Sequence, residues 1–139
     1  MNRPLSAIAG GAAGMSLLSV MLVMFEVETR SQIGLFDVIA RFVGLPGQTA
    51  LGFVLFALAG IFAWPLLFIS LENYLPLWPD PAVRGMGFAA AFWVIFIILG
   101  RGTLAGPILV MYGVTTLLAH LAYGFTLGAV YARLAETHP

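Results

Sequence analysis

Residues 84–101, RGMGFAAAFWVIFIILGR, decide the fold class. Residues 85–100 carry no charge, and residues 92–99 form an unbroken apolar run between the two arginines. A strand of a membrane barrel alternates lipid-facing and lumen-facing side chains over about 10 residues. A helix needs about 20 mostly apolar residues to cross roughly 30 Å of hydrocarbon. The stretch therefore predicts a short, nearly upright membrane helix, beginning at Arg84.

Three further stretches have the length and apolarity of membrane spans. The four predicted spans are residues 5–27, 49–71, 84–100 and 104–131. The first is longer than the apolar region of about 7–15 residues in a signal peptide, so we expect a retained helix, with cleavage as the alternative. Only residues 100–103 separate the last two spans, which predicts an antiparallel helical hairpin.

The composition agrees with a membrane location and excludes several soluble classes. Of 139 residues, 61% are hydrophobic and 9% are charged, against about 25% charged in a typical soluble domain. The formal net charge is zero and there is no cysteine. These values exclude a soluble globular enzyme, a disordered chain, a nucleic-acid binder with a basic face, and thiolate or disulfide chemistry.

A short amphipathic helix is predicted between the first two spans, over residues 31–43. Ser31 is the expected N-cap, and Asp37 and Arg41 are spaced for a helical ion pair. The apolar stripe consists of Ile33, Phe36, Ala40 and Val43. Such a segment is expected to lie in the membrane interface, and an irregular loop is the alternative. The predicted fold is thus a single all-α, polytopic membrane domain, residues 1–139, with four transmembrane helices and one interfacial helix.

The arginines do not decide the orientation. With four spans, both termini share a side with the connection between the second and third spans. Each side then carries three arginines, so the positive-inside rule gives a tie. We expect cytoplasmic termini, because the free amino group adds one positive charge there. The two sets are Arg3, Arg84 and Arg133, and Arg30, Arg41 and Arg101.

The fourth span carries a line of polar and small residues at a spacing of four. Small residues and interhelical hydrogen bonds hold membrane helices together, so this face is expected to contact another helix. The line consists of Tyr112, Thr116, His120, Gly124 and Gly128, and continues to Ala132. In the second span, Pro65 predicts a kink whose freed carbonyl a neighbouring helix can satisfy.

His120 is the one ionisable residue near the middle of a span, which makes it a functional candidate. The other histidine, His138, is the last residue but one, so paired-histidine haem ligation within one chain is not expected. The alternatives for His120 are a structural hydrogen bond, cofactor or proton chemistry, and a subunit contact. We expect no catalytic, cofactor or metal residues, because no catalytic motif or metal-ligand cluster is found.

Charged residues at the ends of the spans predict interfacial ion pairs. Glu26 and Glu28 leave the first span at the side of the membrane where Arg101 is expected. An ion pair between Arg101 and either carboxylate would hold the turn between the last two spans against the first. Exposed pairs of this kind contribute about 0–1 kcal/mol, so they indicate packing and not catalysis.

Four segments carry a family resemblance. They are residues 10–15 (GGAAGM), 26–34 (EVETRSQIG), 42–47 (FVGLPG) and 118–128 (LAHLAYGFTLG). Together they resemble an uncharacterised family of small four-span membrane proteins from halophilic archaea. The resemblance implies an association with respiratory-chain components, including haem-copper terminal oxidases. It implies an accessory role and nothing about catalytic residues.

Two functional hypotheses follow for a multi-pass protein of the cell membrane. The first is a non-catalytic accessory subunit of a larger membrane complex, such as a respiratory oxidase. The alternative is a small homo-oligomeric transporter or channel, with Tyr112, Thr116 and His120 lining a hydrated path between copies. The expected partners are the lipid bilayer and other membrane subunits or further copies of the chain. No nucleic acid and no soluble substrate is expected.

Overall fold

The computed structural model describes residues 2–75 and 79–136, in which each regular element is a helix or a helical turn. A π-helical turn, Ala59–Ala63, joins α3 to α4, and a 3-10 turn, Glu72–Tyr74, follows α4. The helices are α1 (Arg3–Glu28), α2 (Leu35–Phe42), α3 (Thr49–Leu58), α4 (Trp64–Leu71), α5 (Pro81–Gly100) and α6 (Gly106–Glu136).

Four helical stretches within these residues are long and apolar enough to cross a membrane, which indicates a membrane protein. The all-helical, four-span prediction is therefore confirmed. α3, the π turn, α4 and the 3-10 turn form one continuous stretch, here called the second span. The four spans are Arg3–Glu28, Thr49–Tyr74, Pro81–Gly100 and Gly106–Ala135, with mean hydropathies between 1.6 and 2.3.

Local capping places the helix ends differently from the predicted bounds. α5 begins at Pro81 and not at Arg84, because the Asp80 Oδ1 accepts a hydrogen bond from the Ala82 amide at 2.8 Å and proline is suited to the first helical position. α6 begins at Gly106 and not at 104, since Gly102 and Gly106 have left-handed φ angles of 56° and 63°. It continues to Glu136, beyond the predicted end at 131.

The helix predicted over residues 31–43 is shorter in the structure, since α2 spans Leu35–Phe42. Arg30 and Ser31 have left-handed φ angles of 53° and 60°, outside the right-handed α-helical region. The N-cap position of α2 is Gly34 and not Ser31. The first turn is capped instead by the α1 residue Glu26, whose Oε1 accepts a hydrogen bond from the Leu35 amide at 2.9 Å.

α2 packs into the bundle more deeply than the predicted stripe implies. The side chains of Leu35, Val38 and Ile39 are fully buried, and α2 contacts α3 and α5. Arg41 does not pair with Asp37: its Nη2 donates to the carbonyl oxygen of Gly100, at the end of α5, at 3.0 Å. α2 is thus attached to the turn between α5 and α6.

The two closest helix pairs in the bundle both involve α6, which lies between α1 and α5. The second span packs on the other side of α1. The second span and α5 meet mainly through aromatic side chains, including Trp64 with Phe92 and Phe68 with Phe88, at centroid distances of 4.7 and 5.5 Å. This aromatic seam leaves space inside the bundle.

Candidate functional site

The predicted line on α6 lies on its buried face. Tyr112 is 0% exposed, Thr116 1% and His120 9%. The two small members of the line, Gly124 and Gly128, are also buried. The first half of the line carries the polar groups and the second half the closest backbone contacts.

The hydroxyl groups of the polar half are all hydrogen-bonded within the chain. The Tyr112 hydroxyl donates to the carbonyl oxygen of Phe96 on α5. The Thr116 hydroxyl donates to the Tyr112 carbonyl and accepts a hydrogen bond from the Trp93 indole Nε1 at 3.1 Å. The same indole N–H lies 3.1 Å from the Gly113 carbonyl oxygen. This half of the face therefore holds α5 against α6.

His120 has one fixed and one free nitrogen. Its Nδ1 lies 2.7 Å from the Thr116 carbonyl oxygen. A carbonyl only accepts hydrogen bonds, so Nδ1 carries the hydrogen and Nε2 is an acceptor. The ring lies against Phe96, with centroids 5.3 Å apart. Among the residues that the structure describes, no group forms a hydrogen bond with Nε2.

The glycine half of the line allows α5 and α6 to touch through their backbones. A Cβ atom on Gly124 would contact the Gly85 carbonyl oxygen and would lie 2.7 Å from the Ala89 Cβ. A Cβ on Gly128 would lie 2.9 Å from the Cα of Ala82. Both positions therefore require glycine, as expected of small residues at a membrane-helix interface.

The π turn in the second span is held by Tyr123, a residue outside the predicted site. The Trp64 amide donates to the carbonyl of Ala59, five residues back. In the same register the next donor would be residue 65, and Pro65 has no N–H. The Gly60 carbonyl is thus left without a backbone donor, and the Tyr123 hydroxyl donates to it. The proline signals an orphan carbonyl in the sequence, but only the structure shows which side chain reaches it.

A cavity of about 40 Å³ lies between the second span and α5, beside His120 and Tyr123. Met15 and Leu18 of α1 and Ala89 of α5 complete the lining together with six aromatic residues. These six rings are Phe42, Phe56, Trp64, Phe88, Phe92 and Phe96. The cavity is the space left where aromatic side chains, and not backbones, join the second span to α5.

The predicted ion pairs of Arg101 are absent from the described part of the chain. The Arg101 Nε donates to the Leu104 carbonyl at 3.3 Å, closing its own turn, while Glu26 caps α2. Glu28 is exposed. The Glu26 carboxylate binds the backbone at the start of α2 and the Arg101 guanidinium binds the backbone of its own turn, and these contacts replace the long-range pair.

An ion pair that the sequence did not point to lies at the opposite end of the bundle. Arg3 Nη2 is 3.7 Å from the Glu72 Oε1, and Arg3 Nε donates to the Tyr131 hydroxyl at 3.0 Å. This cluster links α1, the second span and α6. The Arg3 side chain is 55% exposed, so the pair is a packing contact of small energy.

Within residues 2–75 and 79–136, no group of three or more His, Asp or Glu residues is placed to hold a metal ion. His138 lies outside the described residues. Among the described residues, His120 Nε2 together with the aromatic cavity is therefore a candidate for ligand chemistry.

Comparisons with known proteins identify a family whose function is unknown. The family described as "Family of unknown function (DUF6789)" matches residues 1–139. No curated protein and no solved structure matches the chain.

Proposed function

The chain belongs to the DUF6789 family of unknown function, and we propose that it is a non-catalytic, multi-pass subunit of the cell membrane. In this proposal it packs against a larger membrane complex, specifically a respiratory oxidase of the haem-containing kind. The observation that carries the proposal is that the hydroxyl groups of Tyr112 and Thr116 on α6 are engaged inside the chain. The Tyr112 and Thr116 hydroxyls both have carbonyl partners and are buried.

The outer surface supports a role in packing against lipid and other subunits. Large aliphatic side chains are exposed on α1, the second span, α5 and α6, with Val27 72%, Ile98 68% and Val110 64% exposed. A protein in water rarely exposes contiguous apolar surface on this scale. Such a surface is suited to the hydrocarbon of the bilayer and to the apolar faces of neighbouring membrane subunits.

The alternative, a homo-oligomeric channel, receives less support. It requires Tyr112, Thr116 and His120 to line a hydrated path between copies. In the structure these side chains face α5 of their own chain, and Trp93 covers Thr116. Opening a path along them would separate α5 from α6 and break their hydrogen bonds.

Purification in mild detergent from native membranes tests the proposal. We expect the chain to co-migrate with haem-containing subunits and the fraction to show their visible spectrum. A colourless oligomer of this chain alone contradicts the subunit proposal. If that oligomer also conducts protons or solutes in liposomes, the channel alternative replaces it.

We further propose that α2 lies in the membrane interface and that both termini are cytoplasmic. The exposed residue Asp37 and the buried residue Val38 support an interfacial helix, with one face exposed to solvent and the other packed against the bundle. The chain has no cysteine, so single-cysteine variants can be labelled without background. In intact cells, D37C should react with a membrane-impermeant maleimide from outside, while V38C should not. Labelling of D37C only after lysis would reverse the orientation.

A further inference from the structure

The cavity beside His120 has mainly aromatic walls, and His120 itself lies at the depth of the middle of the spans. His120 is close to the midpoint of the span Gly106–Ala135. Trp64 and Phe92, whose ring centroids are 4.7 Å apart, close the gap between the second span and α5. Both residues are part-exposed on the outside of the bundle. The wall that they form is therefore the side from which a molecule dissolved in the bilayer would enter.

One hydrogen-bond acceptor is offered to this cavity. His120 lines it, is 9% exposed, and has its Nδ1–H committed to Thr116. The Nε2 lone pair has no hydrogen-bond partner in the described residues. A polar atom without a partner in apolar surroundings costs free energy, and a ligand that donates to it recovers part of that free energy.

The size and chemistry of the cavity select the ligand. One water molecule needs about 10–15 Å³ of cavity volume. A cavity of about 40 Å³ therefore has room for roughly three non-hydrogen atoms. The side-chain polar groups of the lining are Nε2, the Tyr123 hydroxyl and the Trp64 indole N–H. Water makes 2–4 hydrogen bonds, whereas most of this lining is apolar. A charged ligand would enter without an opposite charge among the lining residues. The site therefore fits a neutral group with one donor and an apolar remainder.

We propose that this cavity binds the hydroxyl end of an aliphatic alcohol, with the O–H donated to His120 Nε2 and the carbon atoms packed against the aromatic rings. The proposal goes beyond the subunit role and does not depend on which complex the chain joins. Two sources share this chemistry: a short alcohol that the cavity encloses, and a long-chain alcohol whose tail passes between Trp64 and Phe92 into the bilayer.

Nitrogen NMR of the imidazole rings tests the proposal directly. The full chain is labelled with ¹⁵N-histidine in lipid nanodiscs, and H138Q removes the signals of the second histidine. Without ligand, Nε2 should resonate as an unprotonated nitrogen and Nδ1 as a protonated one. Titration with ethanol should move the Nε2 signal upfield in a saturable manner and leave Nδ1 almost unchanged. A ligand of three heavy atoms binds with a Kd of about 1 mM at best.

Xenon and H120N are the matched controls. Xenon has no donor, so it should occupy the cavity without the upfield shift of Nε2. In H120N, the amide N–H₂ can still donate to the Thr116 carbonyl, and the side-chain acceptor Oδ1 takes the place of the ring Cδ2 and does not reach the Nε2 position. We expect ethanol to bind H120N at least about fivefold more weakly than it binds the parent chain. Saturation transfer to the alcohol measures the binding. If H120N does not fold, the titration of the H138Q chain decides the question by itself.

The second alcohol distinguishes the two sources. If 1-octanol gives the same shift as ethanol, the ligand is a bilayer-dissolved alcohol whose chain leaves through the aromatic wall. A shift with ethanol alone indicates an enclosed short alcohol. The proposal is overturned if neither alcohol shifts Nε2, if Nε2 itself carries the hydrogen, or if H120N binds ethanol as well as the parent chain.

Discussion

At the scale of single residues, the backbone of the second span depends on a side chain of α6. Pro65 removes the donor that the π register would direct to the Gly60 carbonyl, and the Tyr123 hydroxyl replaces it. Gly11 of α1 packs against the same turn, and a Cβ on Gly11 would be 2.7 Å from the Gly60 carbonyl oxygen. Three helices therefore meet at one irregular turn.

Removing the Tyr123 hydroxyl should destabilise the protein. Y123F leaves the Gly60 carbonyl buried without a donor, and we expect a loss of about 1–2 kcal/mol in the free energy of unfolding. Unfolding in mixed micelles measures the loss. The control is Y74F, since Tyr74 is 79% exposed and should tolerate the change. Equal stability of Y123F and the parent chain would contradict the assigned bond.

The Pro65 explanation makes a second prediction at this scale. P65A restores an amide that can donate to the Gly60 carbonyl, so the hydroxyl of Tyr123 becomes less important. In a double-mutant cycle, the cost of Y123F should shrink by about 1 kcal/mol in the P65A background. Strict additivity of the two changes would show that Pro65 is not the reason why Gly60 needs a side-chain donor.

At the scale of elements, α5 and α6 are held by a contact that only glycine permits. In G124A, the new methyl group would meet the Gly85 carbonyl and the Ala89 Cβ, and α5 and α6 would have to move apart. We expect a loss of about 2 kcal/mol or more in the free energy of unfolding.

Gly113 provides the matched control on the same helix. A Cβ there would lie 3.8 Å from the Ile97 Cδ1 and 4.0 Å from the Trp93 ring, which is ordinary contact. G113A should therefore be neutral or stabilising by up to about 1 kcal/mol, because alanine favours a helix over glycine. If the two variants unfold alike, backbone contact does not distinguish the two positions.

The start of α2 depends on a carboxylate from α1. E26A removes the acceptor of the Leu35 amide and should cost about 1 kcal/mol, as for the loss of a helix cap. Hydrogen exchange at the Leu35 amide should become faster. E26Q keeps an oxygen acceptor and should retain most of the protection, whereas E28A changes an exposed residue. Equal exchange in E26A and E28A would contradict the cap.

At the scale of the whole molecule, the apolar side chains lie on the outside as well as on the inside. The exposed residues Leu58 and Phe62 of the second span and Ile95 of α5 are between 46% and 47% exposed. The interior is filled by aromatic rings and by glycines that bring backbones together. This arrangement is the one expected of a bundle surrounded by hydrocarbon.

The whole molecule should accordingly behave as an integral membrane protein. We expect it to remain in the membrane pellet after alkaline carbonate washing, and to be monodisperse only with detergent or lipid present. Sedimentation and size-exclusion chromatography measure both properties. A chain released by carbonate that remains monodisperse in plain buffer would overturn the membrane interpretation.

The sequence by itself determined the fold class and the spans, because length and apolarity are local properties. The span over residues 85–100 and the glycines of α6 can be identified without a structure. In so short a chain, a run of 16 residues without charge indicates a membrane span. The predicted helix bounds were wrong where capping sets the start of the helix, as at Asp80 for α5 and at Glu26 for α2.

Only the tertiary structure decided the partners. It brought Tyr123 to Gly60, Arg41 to Gly100 and Arg3 to Glu72, and it left Arg101 with its own turn. Residues 63 positions apart in the chain become hydrogen-bond partners through helix rotation and close approach. Neither spacing nor composition predicts these pairs of partners, because the pairs depend on how every other helix packs.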